Sequence, residues 1–316
     1  KMLLTKDPLE DILNAVKITN ENDENYKKDL NIFYYGIANV YSKQDEDMSN
    51  YGYHFPGYSY EEAIKYTSKA IEYDKNDWKS YKLRAKHQGK YGMELKGAVL
   101  DISRAIEIGI NDSLINSEAY AMRGSFYIDP QNLSEVYDKN KAVEDYSMAI
   151  DLNSKNAKYY IERAEMYENE INDYEKALDD YSMAIKIDPK SSDYFNSRAY
   201  LYYEHFNDYL KSIADYFTAL NLSSDEDVGS YSWSMTYIDI GKIYRDDLGP
   251  DYYDKALESF NTALEFGENY YKNIEYLEMP SYLRESIHFE RAELYKKMER
   301  YNEALEDYNI SINLLK

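Results

Sequence analysis

The residues best able to bind a metal or move a proton are four histidines, His54, His87, His205 and His288, and they stand far apart in the chain. There is no cysteine, so thiolate metal sites, thiol nucleophiles and disulfides are excluded. The 316 residues hold no glycine-rich phosphate loop, no His-Glu-x-x-His pair and no serine elbow. Asp225, Glu226 and Asp227 lack the ligand spacing and closing glutamate of a calcium loop. Carboxylate pairs are plentiful only because carboxylates are. With no converging set of reactive groups, the expectation is no catalytic residue, no cofactor-binding residue and no metal site. The sequons at Asn132, Asn221 and Asn309 fit a chance match in an Asn-rich chain.

Charge narrows the partners. Acids outnumber bases 59 to 37, a net charge of -22. So acidic a chain repels phosphate backbones, which argues against nucleic acid and against anionic membranes. No apolar run approaches the roughly 18 residues of a membrane helix, and no leader precedes Leu3. The expected protein is soluble, cytoplasmic or exported in mature form. One segment runs against the trend. Lys79, Lys82, Lys86 and Lys90 lie at i, i+3, i+7 and i+11, one stripe on one helix, inside a net-basic stretch from Lys75 to Arg104.

The elements that would position these residues emerge from an internal repeat. Arg163-Ala164, Tyr167, Tyr174, Ala177, Tyr181 and Ala184 recur as Arg198-Ala199, Tyr202, Tyr209, Ser212, Tyr216 and Ala219, every position moved by 35. Small residues stand at repeat position 8 (Ala38, Ala85, Gly124, Ala164, Ala199, Gly241, Ala292), at position 20 (Ala63, Ala98, Ala142, Ala177, Ser212, Ala256, Ala304) and at position 27 (Ala70, Ala105, Ala149, Ala184, Ala219, Ala263, Ser311). Position 24 is large (Ile102, Tyr146, Tyr181, Tyr216, Phe260, Tyr308) except at Thr67, and position 11 is tyrosine except at Gln88. Positions 20, 24 and 27 share one helix face. Small residues let two helix backbones approach, and the aromatics fill the remaining volume. Much of the tyrosine content, 39 residues, is thereby explained as packing.

This pattern resembles the tetratricopeptide repeat, a helix–turn–helix unit of 34 residues. The resemblance implies an all-α fold, an α-solenoid (right-handed superhelix) of about seven repeats. Their ranges are about 31–76, 77–111, 112–156, 157–190, 191–227, 228–270 and 271–316. Residues 1–30 read as a capping half repeat and linker, with Asp7 and Pro8 opening a helix over 8–18. From position 8 to position 20 the family has 12 residues; the spacings here are 25, 13, 18, 13, 13, 15 and 12. The long insert, Gln44 to Tyr60, and the gaps Ser223–Gly229 and Gly267–Ser281 become edge loops or helix extensions.

Position 7 is arginine in five repeats (Arg84, Arg123, Arg163, Arg198, Arg291) and isoleucine in two (Ile37, Ile240). Position 23 is aspartate in the same five (Asp101, Asp145, Asp180, Asp215, Asp307) and Tyr66 or Ser259 in the other two. A guanidinium near a helix interface needs an anion, so the expectation is five structural ion pairs rather than a ladder of ligand-binding arginines.

In the family, positions 2, 5, 9, 12 and 13 of the first helices line a groove that holds a peptide. Carried over, these give Tyr35 and Asn39, then Lys79, Lys82, Lys86 and Lys90, and farther on Tyr200 and Tyr203. The family's clamp for chaperone tails matches only at Asn39; Tyr35 and Leu83 replace its lysine and asparagine, so that role fits poorly. The implied function is a non-enzymatic scaffold for a protein or peptide partner. The alternatives are a self-associating assembly protein, a possible homo-oligomer joined through the apolar end around Ile310, Ile312, Leu314 and Leu315, and an enzyme with an unfamiliar site.

Overall fold

The computed structural model describes residues 24–50, 59–90, 94–109, 113–128, 136–223, 230–273 and 279–315. The expected capping helix over 8–18, the tip of the first insert and most of the 223–229 gap lie outside the described residues. What is described is all-α: fourteen helices and, among the described residues, no strand. The chain divides into two compact units, Lys1–Ile171 and Asn172–Lys316.

The first unit holds α1 (Glu24–Asn50), α2 (Ser59–Tyr73), α3 (Trp78–Lys90), α4 (Leu95–Ile108), α5 (Ser113–Tyr127), α6 (Lys139–Leu152) and α7 (Ala157–Glu165). The second holds α8 (Tyr174–Ile187), α9 (Ser192–Leu201), α10 (Tyr209–Leu222), α11 (Ser230–Lys242), α12 (Tyr253–Asn273), α13 (Ser281–Lys297) and α14 (Tyr301–Leu314). Helix starts follow local chemistry. Asp138 accepts from the Asn140 and Lys141 amides, Asn156 from Lys158, Asp173 from Lys176 and Asp208 from Lys211, each satisfying donors that the first turn leaves open. The first insert begins as helix, since α1 runs on to Asn50.

Packing is dictated by the small residues. Ala38, Ala63, Ala70, Ala85, Ala98, Ala142, Ala149 and Ala164 in the first unit have no exposed surface, nor have Ala177, Ala184, Ala199, Ala256, Ala263 and Ala292 in the second. The large partners Tyr146, Tyr181 and Phe260 are sealed beside them. Burying such a ring stabilises by a few kcal/mol. A Cβ on Gly124 would stand 3.3 Å from the Ala142 carbonyl oxygen and the Tyr146 ring; on Gly241 it would stand 2.6 Å from the Phe260 ring. Each of the two departures from the pattern makes a local hydrogen bond. Thr67 is buried and donates to the Ala63 carbonyl at 2.7 Å, and buried Gln88 donates to Glu94 at 3.1 Å.

The irregular spacings have a structural counterpart. In two of the repeats where position 20 follows position 8 by 13 residues, the first helix ends in a π-helical turn, Met166–Ile171 after α7 and Tyr202–Phe206 after α9. A π turn takes one more residue than an α turn, which within the second unit absorbs the insertion between α9 and α10. Asn172 (φ 62°) and Asn207 (φ 51°) then reverse the chain in the left-handed conformation that asparagine tolerates. At a spacing of 15, a π turn at Ile243–Asp247 is followed by Gly249 (φ 80°) and a 3-10 turn at Pro250–Tyr252. At a spacing of 12, α13 has no π turn and Glu299 (φ 60°) makes the reversal.

Candidate functional site

Two sets of polar side chains sit on this frame. The first is internal. Arg84 Nε and Nη2 donate to the two oxygens of Asp101 at 2.6 and 2.7 Å, and Arg123 forks onto Asp145 at 2.8 Å through both nitrogens. In the second unit Arg198 grips Asp215 at 2.7 and 2.9 Å, and Arg291 grips Asp307 at 2.7 and 2.8 Å. This bidentate fork is the strongest geometry available to an arginine–carboxylate pair. Arg163 belongs to the first unit and Asp180, buried, to the second.

The third guanidinium nitrogen was not anticipated. Arg84 Nη1 donates to Ser68 Oγ at 3.0 Å, Arg123 to Ser103 at 3.0 Å, Arg163 to Ser147 at 2.9 Å, Arg198 to Ser182 at 3.2 Å and Arg291 to Asn261 Oδ1 at 2.6 Å. Each acceptor is at position 25 of the preceding repeat. The signal was in the sequence: Ile37 and Ile240, which replace arginine, are preceded at that position by Leu13 and Phe217. Each arginine that reaches both acceptors therefore ties three successive helices.

The last repeat adds a histidine. His288 stands at position 4, where Tyr34, Tyr81, Tyr120, Tyr160, Phe195 and Tyr237 occupy the other repeats. It is buried, with Nδ1 2.7 Å from Asp307 Oδ1. His205 stacks on Tyr174 with ring centroids 3.6 Å apart. His87 is buried in α3, and the side chain of His54 lies outside the described set. Among the described residues no group of three or more His, Asp or Glu is placed to hold a metal ion.

The second set lies on the first helices of the repeats, facing away from those contacts. In the first unit Tyr35 is half-buried, and burial together with Asp77 raises its pKa; Asn39 is exposed. Lys79 is exposed, with Nζ 5.7 Å from the Trp78 ring, and Lys86 is half-buried. Lys82 is ion-paired with Glu118, so the lysine stripe is partly neutralised within the protein. Glu118 sits at position 2 of the next repeat, the place Lys79 holds in its own, and this could have been read from the register. The side chain of Lys90 is outside the described set. Farther along, Glu162 is half-buried with its pKa raised by burial, and Lys158 stands 3.5 Å away.

In the second unit Tyr200 and Tyr203 come together. They line a pocket of about 100 Å³ with Glu204, Tyr216, Asp239 and Lys242, floored by Ile243. Position-based reading reached the two tyrosines but not Asp239, which stands at position 6, nor Tyr216, which belongs to the second helix.

These features define an α-solenoid with tetratricopeptide-type helix pairs. The C-terminal part of a TPR repeat-containing protein from Cytophaga hutchinsonii shares this fold: it is 16% identical, with a TM-score of 0.59 over 81% of this chain and 90% of that one. Also similar are YrrB, described as a TPR protein with an unusual peptide-binding site (17% identical, TM-score 0.48, 69% of this chain and 94% of that one), and the MamA protein (19% identical, TM-score 0.48, 62% and 93%). No protein-family model matches the chain, and the search of curated proteins found no match. No described helix is long and apolar enough to cross a membrane.

Proposed function

We propose that the protein is a non-enzymatic scaffold that holds a peptide or extended partner segment along the face made by its first helices. The observation that carries this reading is a division of labour within each helix. The side facing the second helix is closed by alanine, tyrosine and the arginine ties. The other side presents Asn39, Lys79 and Tyr200 to solvent, and Tyr200 is 50% exposed. A frame ordered beforehand leaves only the ligand to be ordered on binding, which lowers the entropic cost of capture. YrrB, the solved neighbour described with a peptide-binding site, lends the fold a precedent.

The test is a cross-linked pull-down from the source organism. It compares wild type with Lys79→Glu/Lys82→Glu/Lys86→Glu and with Tyr200→Ala/Tyr203→Ala. The scaffold reading expects specific partners to be lost with at least one of these variants. Retention of every partner by both would remove the face from consideration.

Self-association is the second reading, and α14 favours it. Ile312 is 53% exposed, whereas Ile71, Ile106, Ile150 and Leu220 at the same repeat position are buried. Leu305 on the same helix and Leu315 just after it are exposed. Sedimentation at several concentrations decides: a species that stays monomeric throughout rules out assembly through this helix.

A further inference from the structure

The pocket between α9 and α11 has a composition unlike the rest of the first-helix face. Tyr200 and Tyr203 flank it, and buried Tyr216 and Ile243 close its base. The Tyr203 ring is braced by Tyr209, with centroids 6.1 Å apart. Two carboxylates, Glu204 and Asp239, and one ammonium, Lys242, complete the lining, which leaves it one negative charge in surplus. The cation that Asp239 faces, Lys242, stands 3.8 Å away, beyond hydrogen-bond distance. That ammonium is also shared with Glu290 at 3.5 Å, which in turn takes Arg245 Nη1 at 2.7 Å. One ammonium is thus shared between two carboxylates and leaves Asp239 incompletely neutralised.

The electrostatics agree with the geometry. Burial holds the Asp239 carboxyl above the usual carboxylate range; Lys242 pulls it down and Glu290 pushes it up. The Tyr216 phenol is driven up by burial and then by Asp239, and Tyr203 by burial, Asp247 and Glu204. Each group is pushed toward its neutral form, the response of a desolvated site with surplus negative charge. Tyrosine rings present a negative face to a cation, and their attraction strengthens as water is excluded. The surrounding chain, at -22, steers cations inward.

The geometry points to a receptor for one cationic side chain, lysine or arginine, of the partner segment, caged by Tyr200, Tyr203 and Tyr216 and neutralised by Asp239 and Glu204. This rests on the scaffold reading and adds to it a partner chemistry: a basic residue at a fixed place along the bound segment. An anionic or neutral polar side chain would meet like charge or lose its water without compensation.

A random dodecapeptide phage library, panned on the purified full chain at physiological salt, separates the possibilities. Physiological salt screens diffuse attraction between a basic peptide and an acidic surface while sparing a desolvated contact. Selected peptides should share a lysine or arginine at one register, and the identity of that residue distinguishes ammonium from guanidinium recognition. Asp239→Asn should lower the enrichment of the basic residue about tenfold, the effect of losing about 1.4 kcal/mol from one contact. Glu204→Gln, at an exposed position, provides the same test should Asp239→Asn fail to fold. Glu144→Gln, exposed on α6 in the other unit, should leave the preference unchanged. Peptides selected without a basic preference, or with a preference indifferent to Asp239 and Glu204, overturn the cage and leave the scaffold standing. Selection of no peptide from wild type overturns the scaffold and the cage together.

Discussion

The fifth and sixth repeats solve one packing problem in two ways. In the fifth, the first and second helices are joined by Arg198 on Asp215, and Ser182 of the preceding repeat takes the remaining nitrogen. In the sixth, Ile240 and Ser259 replace the pair, both buried, and the Ser259 hydroxyl turns back to the Lys255 carbonyl at 2.9 Å. There Gly241 lets α11 lie against the Phe260 ring at a distance no side chain would allow. The charge reappears one turn later. Buried Arg245, over the same Phe260 ring, reaches Glu290 of the following repeat at 2.7 Å. One repeat directs its arginine within itself and backward; its neighbour directs it onto the adjacent Asp246 and forward to Glu290, and closes the internal seam by apolar contact. The tie is therefore interchangeable, whereas the close approach is not.

The largest expected effect breaks the ionic seam. Arg198→Ala or Asp215→Ala alone should each cost about 2–4 kcal/mol, because the survivor is left largely buried without its counter-charge. The double variant should cost much less than their sum, and strictly additive denaturant midpoints would refute the coupling. Gly241→Ala tests the apolar seam and should cost about 1–3 kcal/mol through overpacking against a ring that cannot swing away. Gly124→Ala, whose contacts are looser, should stay near zero, since helix propensity returns up to about 1 kcal/mol. Equal melting shifts for the two glycines would show that close approach is not what distinguishes the sixth repeat. Ser182→Ala should remove about 1.5 kcal/mol, the low end for a hydrogen bond to a charged donor.

The smallest effect is in pH. Burial opposes ionisation of Asp307, but hydrogen bonds from Arg291 and His288 outweigh it and hold the carboxyl below its ordinary 3.8. Its stabilisation is full above 3.8 and is lost as pH falls through the depressed value. Asp239, held above 3.8, acts oppositely: stability declines as pH rises from 3.8 toward the raised value. Denaturation midpoints measured between pH 3 and 6 should flatten at the acid end in Asp307→Asn and above it in Asp239→Asn. Identical slopes in wild type and both variants would contradict the assignment.

Much of this frame was legible because its cause is local and repeated. Alanine at 8, 20 and 27 states how near two helices come, and the joint presence of arginine and aspartate names an ionic seam. Ser182 was missed because a serine on a helix has many bland explanations; what marks it is the replacement of that position by Leu13 ahead of Ile37 and by Phe217 ahead of Ile240. The π turns were hidden in a one-residue excess of spacing, which reads equally as a longer loop. The lysine stripe looked more basic than it is, because Glu118 comes from the next helix and only stacking brings it to Lys82. Asp239 escaped for the same reason: it enters the tyrosine pocket from a neighbouring repeat and at a position outside the family's groove pattern.

The π turns bear on how such a chain can change over time. The interval from position 20 to position 27 is seven residues in every repeat, while the stretch before it varies from 12 to 25. In the fourth, fifth and sixth repeats the added length sits at the end of the first helix as a wider turn, and the seven-residue interval that follows is untouched. The same joint is the place at which an engineer could splice in a tag or a reporter loop, whereas one residue added between Ala177 and Ala184 would rotate half a helix out of its seat.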